Sequence, residues 1–541
     1  MTRFCPSFLK KSTKALLKSP REMWVTSVFL RILLAMAYFT FASILVAFLE
    51  DEYGFGDSSA LNFYGIFGSV ISFFALVLGP VYDWLGIRSS LMLCGLFSMI
   101  GFTMLSMAFD VGFMFYLATL LFIPLGLAFG LPVLDLASAK YSYPENESQV
   151  YSLGYSTSNM GGGLGSLTMF LLSLEVSRLV QVNIVHPADK DELLIHNHGV
   201  TAQRLMILLC GVVSGIAALI AGLTIGNVHM TKHGSVVRDN VRSVDDADAA
   251  ADEAEAPVSE SAPAVIVDPR WRVRVALHNA WLWLRYDLIK LLRDPGFRRL
   301  SLFVFTTLFA RHVFQQLNTT LILYLYRVFG PHAPVNAFYA INPIAVSILA
   351  PVASFITPYF DMFHCIILGS AVSSSSLLIM ALFEPTFVSV AMALFLFTVG
   401  EAIYSPLTTQ YVMALSPDGK KGQYSALTSA PIFLGKVIVS LVSGGLLENN
   451  CSKGGDKSSC GRVWLVISGV SFGTPVGLLA LYRVIHTPEV RNRLSARKAN
   501  AAIYDDTNDR TEYVDHDNDP VPLKAMVAHS PVYRGTAPPV A

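Results

Sequence analysis

The sequence predicts an all-α membrane protein of twelve transmembrane helices, arranged as two six-helix bundles. Composition is the first reason, because 53% of the 541 residues are hydrophobic and only 14% are charged, whereas soluble proteins carry roughly 25% charged residues. The second reason is that twelve windows each reach the length of about 20 mostly apolar residues that a bilayer crossing needs. The third reason is a long polar insert, which six windows precede and six follow.

The windows set the domain boundaries. They are Trp24–Leu49, Leu61–Gly79, Ser89–Phe109, Val111–Leu136, Tyr151–Leu174, Leu205–Gly226, Leu300–Tyr326, Phe338–Thr357, His364–Phe383, Phe387–Met413, Ser425–Leu447 and Val463–Ile485. The predicted domains are an N-terminal tail at 1–23, a first bundle at 24–226, a linker at 227–299, a second bundle at 300–485 and a C-terminal tail at 486–541.

An internal repeat indicates that the two bundles are related. "FYGIFGSVISFFALVLGPVYD", ending at Asp83, resembles "FYAINPIAVSILAPVASFITPYFD", ending at Asp361. Each stretch is the second span of its half with the turn that follows. Two six-helix halves with matching second helices predict a pseudo-symmetric transporter with its substrate site between the halves, near the middle of the bilayer.

The basic residues predict the orientation. Six lysines and arginines precede the first window, and eight lie between residues 270 and 299. Because cytosolic loops are rich in lysine and arginine, we expect both termini and the linker to be cytosolic, in a plasma membrane or an endomembrane. We expect no cleavable signal peptide, because the sequence is polar and basic up to Arg21 and the first apolar run is long enough to span a bilayer.

The linker divides into two parts. "DDADAAADEAEAPVSESAPA", from Asp245, is acidic and has no large apolar residue, so we expect it to be disordered. "WRVRVALHNAWLWLRYDLIKLLRD", from Trp271, mixes Trp and Leu with basic residues at helical spacing. It predicts an amphipathic helix on the membrane surface, with a soluble linker helix as the alternative. The polar C-terminal tail is also expected to be disordered.

Ionisable residues lie deep in three windows. Glu401 is near the middle of "LFTVGEAIYSPLTTQYVMAL", Lys436 is similarly deep in "PIFLGKVIVSLVSGG", and Arg311 and His312 lie within "LFARHVFQQLNTTLILY". A charge at this depth costs at least about 2.5 kcal/mol on insertion scales. We expect Glu401 to pair with Lys436 or Arg311, or to hold a cationic substrate group or a proton. A static ion pair that fixes helix packing is the alternative.

Polar stripes accompany these charges. On the seventh span Arg311, Gln315 and Asn318 follow i, i+4, i+7 spacing and share one face. On the tenth span Glu401 and Ser405 share a face in the same way. We expect both stripes to line a water-filled cavity between the halves.

Three further polar residues carry weaker predictions. Tyr38 on the first span and Asn159 on the fifth would line the cavity or simply pack. Arg31 is about seven residues into its window. We expect it to extend toward the cytosolic surface, with a role in gating as the alternative.

The turn "GPVYDWLGIRSS" has spacing typical of a gate. Gly79 allows close helix approach, Gly86 allows a tight turn, and Asp83 can pair with Arg88 or cap the next helix. The second copy keeps Asp361 but lacks the glycines and the arginine. This turn resembles the loop motif of the major facilitator superfamily, which implies the major facilitator fold and a cytosolic gate at these residues. A solvated turn without a gating role is the alternative.

Other stretches resemble proton-coupled oligopeptide transporters. "YSTSNMG", from Tyr155, is similar to their fifth-helix signature, and "GEAIYSPLTTQYVMALSP" is similar to their tenth helix. This resemblance implies that Glu401 contacts the amino group of a peptide. The chain departs from the family on the first helix, where the ExxER coupling motif aligns with Arg31 and the four apolar residues after it, so that no acid is present.

A closer resemblance is to facilitator-superfamily transporters of microbial eukaryotes. It covers E-A-x-x-S-P at Glu401–Pro406, P-x4-K at Pro431–Lys436 and R-x-F-G-P at Arg327–Pro331. This likeness implies that Glu401 and Lys436 act as a unit, and it implies no particular substrate.

The last loop outside the cytosol, "NNCSKGGDKSSC", holds Cys451 and Cys460. They predict a disulfide if that side is the cell exterior or a secretory lumen. Cysteine and histidine spacing predicts no metal site, and the chain has no Walker loop and no nucleophile elbow. An enzyme, a cofactor and a nucleic-acid partner are therefore not expected.

Together these patterns predict a secondary active transporter that acts as a monomer in the lipid bilayer. It would move a small polar organic solute, namely an amino acid, a small peptide or an organic anion, by alternating access, with coupling to protons left open. Two alternatives stay open, a facilitative sugar transporter and a non-transporting membrane receptor or scaffold.

Overall fold

The computed structural model describes most of the helical chain. The described residues are 16–142, 146–181, 201–226, 228–230, 236–238, 293–330, 333–417, 420–451 and 457–496. The acidic run, nearly all of the expected surface helix and the tail beyond residue 496 lie outside them. A compact unit, Met1–Leu494, contains every element labelled below, and Ser495–Ala541 forms a second unit.

The first half of the protein contains five helical elements. They are α1 (Arg21–Tyr53), α2 (Asp57–Met107), α3 (Phe113–Tyr141), α4 (Glu147–Gln181) and α5 (Ala202–Thr224). Element α2 contains the predicted second and third spans without an intervening loop. It bends at Gly86, whose φ of 74° and ψ of 168° suit a residue without a Cβ atom.

The second half contains shorter and more interrupted helices. They are α6 (Pro295–Leu317), α7 (Thr320–Phe329), α8 (Val335–Ile356), α9 (Met362–Leu382), α10 (Phe387–Leu415), α11 (Lys421–Asn450), α12 (Gly461–Ser471), α13 (Gly473–Ala480) and α14 (Tyr482–Ile485). The predicted seventh span is broken between α6 and α7 at Asn318 and Thr319, and the predicted twelfth span consists of α12, α13 and α14.

Nine helices in the described part of the chain are long and apolar enough to cross a membrane. Because α2 is 51 residues long, it can cross twice. Elements α4 and α6 are not among these nine, and α7 is apolar but only 10 residues long. Helix α6 carries Arg311, His312, Gln315 and Gln316 in its second half. The protein is thus a membrane protein whose spans are all helical and are consistent with twelve crossings.

Two local elements differ from the predictions. Strands β1 (Val228–Met230) and β2 (Val236–Arg238) form a small antiparallel ladder in which Val228 pairs with Arg238. Residues 488–496 are helical, and Val490 and Leu494 pack on the apolar core of the second half. The expected disordered C-terminal tail therefore begins with an ordered segment.

The two halves meet along two seams. In one, α2 lies against α11, and Phe433 and Val439 of α11 belong to the apolar core of the first half. In the other, α4 lies against α8, where Ser156 Oγ donates to the carbonyl of Ser347 at 2.6 Å and Ser347 Oγ donates to the carbonyl of Ser156 at 3.1 Å. Both seams bring side chains of opposite halves together near the middle of the helices.

The α2–α11 seam is close enough to require glycine at position 68. A Cβ atom there would lie 2.8 Å from Cβ of Lys436 and would also collide with the carbonyl of Phe433. We expect Gly68→Ala to destabilise the protein by about 1–3 kcal/mol, the usual cost of overpacking. The thermal unfolding midpoint of the purified protein in detergent measures this effect.

Gly445→Ala is the matched control. Gly445 lies on α11, and a Cβ atom there meets nothing within 4 Å. Because alanine favours helix by up to about 1 kcal/mol over glycine, this variant should unfold at or above the wild-type temperature. Equal losses in both variants would contradict the proposed close approach of α2 and α11.

Candidate functional site

Glu401 is buried in the middle of α10 and is held by two neutral donors. Its side chain is 1% exposed. Tyr155 donates its hydroxyl proton to Oε1 at 2.7 Å, and Asn342 donates from Nδ2 to Oε2 at 2.6 Å. Asn342 belongs to α8 of the same half, whereas Tyr155 belongs to α4 of the first half. The carboxylate is therefore shared between the two halves.

Lys436 is buried between aromatic side chains of the first half. It is 0% exposed, and Nζ lies 3.5 Å from the ring centroid of Tyr64 and 5.7 Å from that of Tyr38. Nζ donates to Oε1 of Gln315 at 3.1 Å, and the Tyr64 hydroxyl donates to the same oxygen at 2.7 Å. Aromatic faces and a carbonyl oxygen stabilise an ammonium ion without neutralising it.

Arg311 lies near Glu401 without touching it. Its Nη2 donates to the carbonyl of Ser405 at 3.1 Å, and its guanidinium carbon lies 5.7 Å from the ring centroid of Tyr404. Among the described residues no ion pair within 4 Å joins Glu401 to Arg311 or to Lys436. Of the two arrangements expected from the sequence, direct pairing of Glu401 with one of these cations is thus absent in this conformation.

The remaining polar residues of α6, and Asn318 just after its end, are buried and take part in local hydrogen bonds. Asn318 Oδ1 accepts from the Tyr339 hydroxyl at 2.6 Å, and Gln316 Oε1 accepts from Ser443 at 2.6 Å. His312 Nδ1 contacts the carbonyl of Phe309 at 2.5 Å, and its backbone faces α11. The expected polar stripe is present, but His312 lies on its α11 side.

Tyr38, Asn159 and Ser405 have different surroundings. Asn159 Nδ2 donates to the carbonyl of Tyr155 one turn earlier at 2.9 Å, which favours a packing role for its amide. The Tyr38 and Ser405 hydroxyls are buried and make no hydrogen bond within 3.5 Å among the described residues. Buried polar groups usually have partners, so these two hydroxyls are suited to contact a solute or water.

Arg31 does not reach the surface, contrary to the expectation from the sequence. It is 5% exposed and forms a 2.8 Å ion pair with Asp135 of α3, with Ser138 Oγ as a further acceptor at 3.1 Å. Gly154 of α4 leaves room for the guanidinium, since a Cβ atom there would lie 2.8 Å from Nε. This pair is complete, because each charge has its opposite.

The turn after the first arm of α2 connects the two halves. Asp83 Oδ1 accepts from the backbone N–H of Gly422 at 3.0 Å, in the first turn of α11. Gly79 packs against Gln423, and Gly86 forms the bend. Arg88 instead donates to the carbonyl of Gly222 near the end of α5 at 2.5 Å. We call this part of the protein, defined by Asp83 and Gly422, the latch end.

The corresponding turn of the second half does not connect the halves. Asp361 caps its own helix α9 by accepting from the backbone N–H of Phe363 at 3.0 Å and of His364 at 3.1 Å. Its other oxygen lies 3.5 Å from His486 Nε2. Burial lowers the pKa of His486, although the Asp361 carboxylate acts in the opposite direction.

The opposite end of the protein carries the disulfide, and we call it the disulfide end. Cys451 and Cys460 are bonded, with their Cα atoms 4.6 Å apart. Arg327 donates to the carbonyls of Leu447 at 3.1 Å and Cys451 at 2.6 Å, which places a cation at the C-terminus of α11.

In the described part of the chain no group of three or more His, Cys, Asp or Glu side chains could hold a metal ion.

Sequence reasoning missed four residues of the site. Tyr155 and Asn342 hold Glu401, Tyr64 contacts Lys436, and Asp135 pairs with Arg31. Three of them lie in stretches that the sequence had marked for other reasons. Tyr155 opens the fifth-helix signature, and Tyr64 and Asn342 lie in the internal repeat.

The Asp83–Gly422 bond can be tested by Asp83→Asn, which keeps the side-chain size and removes the charge at the N-terminus of α11. We expect about 1 kcal/mol less stabilisation of the closed latch end, since Asp83 is exposed to solvent. Labelling of a cysteine introduced at Gln423 should become about fivefold faster.

Asp110→Asn is the control, because Asp110 is an exposed carboxylate in the loop before α3. It should leave labelling at position 423 unchanged. If both variants label at the wild-type rate, Asp83 does not hold the latch end closed.

Comparisons with known proteins agree with this architecture. The family model described as Major Facilitator Superfamily matches residues 6–166 and 193–440. A search of curated proteins found no significant match.

Solved structures of oligopeptide transporters share the fold. One, described as giving insight into substrate recognition in proton-dependent oligopeptide transporters, is 16% identical, with 87% of this chain and 99% of that chain covered at a TM-score of 0.58. Another is a POT family transporter in complex with a thioalcohol-conjugated peptide, 14% identical, with 86% and 97% covered at a TM-score of 0.57.

A third is a bacterial homologue of the human drug peptide transporters, 16% identical, with 86% and 98% covered at a TM-score of 0.56. Identities this low show a shared fold only. The family match extends over most of the chain, and the turn at Asp83, the two halves and the seams between them agree with it. The chain belongs to the Major Facilitator Superfamily, whose members are transporters and not enzymes.

Proposed function

We propose that the protein is a secondary active transporter of a small zwitterionic solute, an amino acid or a short peptide, and that a proton moves with it. The observation that carries this proposal is the state of Glu401. This carboxylate is 1% exposed at membrane depth, and among the described residues its hydrogen-bond donors are the neutral groups of Tyr155 and Asn342. It therefore suits either a proton or the ammonium group of a solute.

The second charge supports a solute with two ends. Lys436 is buried without a carboxylate partner within 4 Å in the described chain, and its ammonium is held by Tyr64 and Gln315. A carboxylate of the solute would supply the opposite charge that the neutral Gln315 oxygen and the Tyr64 ring lack, and the Coulomb attraction between the two ions would add to the hydrogen bond. Glu401 would bind the ammonium end and Lys436 the carboxylate end.

Proton coupling follows from the same environment. A carboxylate surrounded by neutral partners changes its proton affinity when a cation approaches or leaves. Arg311 is near enough to act on Glu401 electrostatically while bonded to Ser405. The partner of Glu401 that changes as the halves move is Tyr155, because it belongs to the first half. Loss of its hydrogen bond to the carboxylate would raise the proton affinity of Glu401, which would couple proton binding to the transport cycle.

The organic anion is the second candidate, and one observation favours it. Arg311 and Lys436 give the site two cations against the single carboxylate of Glu401. If Glu401 is protonated, only the cations remain to recognise a solute.

We further propose that the latch end faces the cytosol and that its turn acts as a gate. The basic residues flanking α1 and α6 support this orientation. The bonded cysteines suit an oxidising compartment at the other end.

Uptake into proteoliposomes tests the role of Glu401. We expect wild type to accumulate one class of solute from a panel of amino acids, dipeptides, monocarboxylates and sugars when an inward proton gradient is imposed. Accumulation by Glu401→Gln should be at least tenfold lower than by wild type, because the amide cannot carry the proton. Counterflow exchange should be retained. Glu384→Gln, at an exposed site between α9 and α10, is the control.

Lys436→Gln tests recognition of a carboxylate. Loss of a hydrogen bond between charged groups costs about 1.5–3 kcal/mol, so KM for a dipeptide should rise about tenfold or more. KM for the same dipeptide with an amidated C-terminus should not change. Lys140→Gln, at an exposed position, should behave as wild type.

These variants separate the two candidates. An organic-anion transporter would accumulate monocarboxylates, lose that uptake in Lys436→Gln and ignore amines. If Glu401→Gln and Lys436→Gln both match wild type for every solute, the proposed site is wrong.

A further inference from the structure

Two of the buried charges of the site, Glu401 and Lys436, are each in contact with a tyrosine from the opposite half. Glu401 belongs to α10, and the Tyr155 hydroxyl that binds it belongs to α4. Lys436 belongs to α11, and the Tyr64 ring under its Nζ belongs to α2. The two contacts follow one pattern, in which the second half supplies the charge and the first half supplies a neutral tyrosine.

The two tyrosines occupy the positions that a zwitterionic solute would need. Tyr155 places an O–H donor 2.7 Å from the carboxylate, where a solute ammonium would donate. The hydroxyl of Tyr64 donates to Gln315 Oε1, the same oxygen that accepts from Lys436, and its ring covers the ammonium. A solute carboxylate that approached Lys436 would have to displace this ring.

We infer that Tyr155 and Tyr64 act as an interlock, standing in for the two charged ends of the solute and holding the halves together until the solute displaces them. The inference rests on the proposed function for the identity of the displacing groups. The contacts between the halves do not depend on it. Tyr155 and Tyr64 are positioning residues in this scheme, since they act through the charges that they hold.

Displacement would release the halves for a physical reason. Each tyrosine contact joins opposite halves in a buried site, where an unsatisfied charge is expensive. Without a solute, opening the halves would leave Glu401 with one donor and Lys436 without its aromatic face. With a solute bound, both charges keep a partner, so separating the halves no longer exposes them. Binding would thereby lower the free energy of opening.

Substrate-free distance measurements test the interlock directly. Spin labels are introduced as non-natural amino acids at Lys140 and Arg483 near the latch end, and in a second sample at Asp110 and Glu384 near the disulfide end. In Tyr155→Phe the hydroxyl that binds Glu401 is lost, and in Tyr64→Phe the hydroxyl that binds Gln315 of the second half is lost, while both rings remain. We expect the fraction of molecules in which the two halves are separated at one end to rise about two- to tenfold, the range for the loss of one hydrogen bond.

Tyr53→Phe is the matched control. The Tyr53 hydroxyl donates to the carbonyl of Ala108 at 2.7 Å within the first half. Its loss should lower the unfolding temperature without changing the distances between the halves. If Tyr155→Phe and Tyr64→Phe give the distance populations of Tyr53→Phe, the tyrosines only contribute to packing and the interlock is wrong.

The dipeptide alanyl-alanine then serves as the probe for displacement. It should shift the wild-type distances toward separation and shift Tyr155→Phe much less, because that variant has no hydroxyl to displace. An equal shift in both proteins would overturn the role of Tyr155 as a stand-in.

The two proposals fail in distinguishable ways. If alanyl-alanine leaves wild type unchanged while the tyrosine variants open without it, the interlock stands and a dipeptide is not the solute. If the variants do not open, the interlock fails even if Glu401→Gln loses proton-driven uptake.

Discussion

A charge buried at membrane depth needs a partner, and the rest of this structure depends on how Arg31, Glu401 and Lys436 are provided with theirs. Arg31 has the carboxylate of Asp135 and forms a complete ion pair. Glu401 and Lys436 have only neutral donors, acceptors and an aromatic face among the described residues. An ion pair of the first kind is satisfied in every conformation that keeps α1 beside α3. The other two charges gain from any ligand of opposite sign.

The α2–α11 seam links the surroundings of the buried charge Lys436 to the contact between the halves. Gly68 lets the helices approach at the level of Lys436. One end of the same seam is held by Asp83 at the N-terminus of α11, and further along it Ser440 donates to Asn62 at 2.7 Å. We expect a change in the surroundings of Lys436 to affect these other contacts of the seam, since they lie on the part of α2 before Gly86 and on the same helix α11.

Depth within an apolar window was enough to find Glu401 and Lys436 from the sequence, because a charge in that position is unusual. Tyr155 and Asn342 could not be found in this way, since a neutral polar side chain in a helix costs little and leaves no mark in the composition. Arg31 was misplaced because α1 begins at Arg21, so that it lies about 15 Å along the helix. The cross-half bond of Asp83 depends on the register of α2 against α11, which local sequence does not encode.

The uneven division of the site between the halves has a consequence for how the solute that such a protein transports could change during evolution. The charges that would select the solute belong to α10 and α11, whereas the first half contributes uncharged tyrosines. Evolution could exchange an acid for a base on the second half and alter which solutes bind, without rebuilding the surface that moves against it. Two halves that began as equivalent copies would in this way have specialised, so that the second half selects the solute and the first half supplies the neutral surface that moves against it.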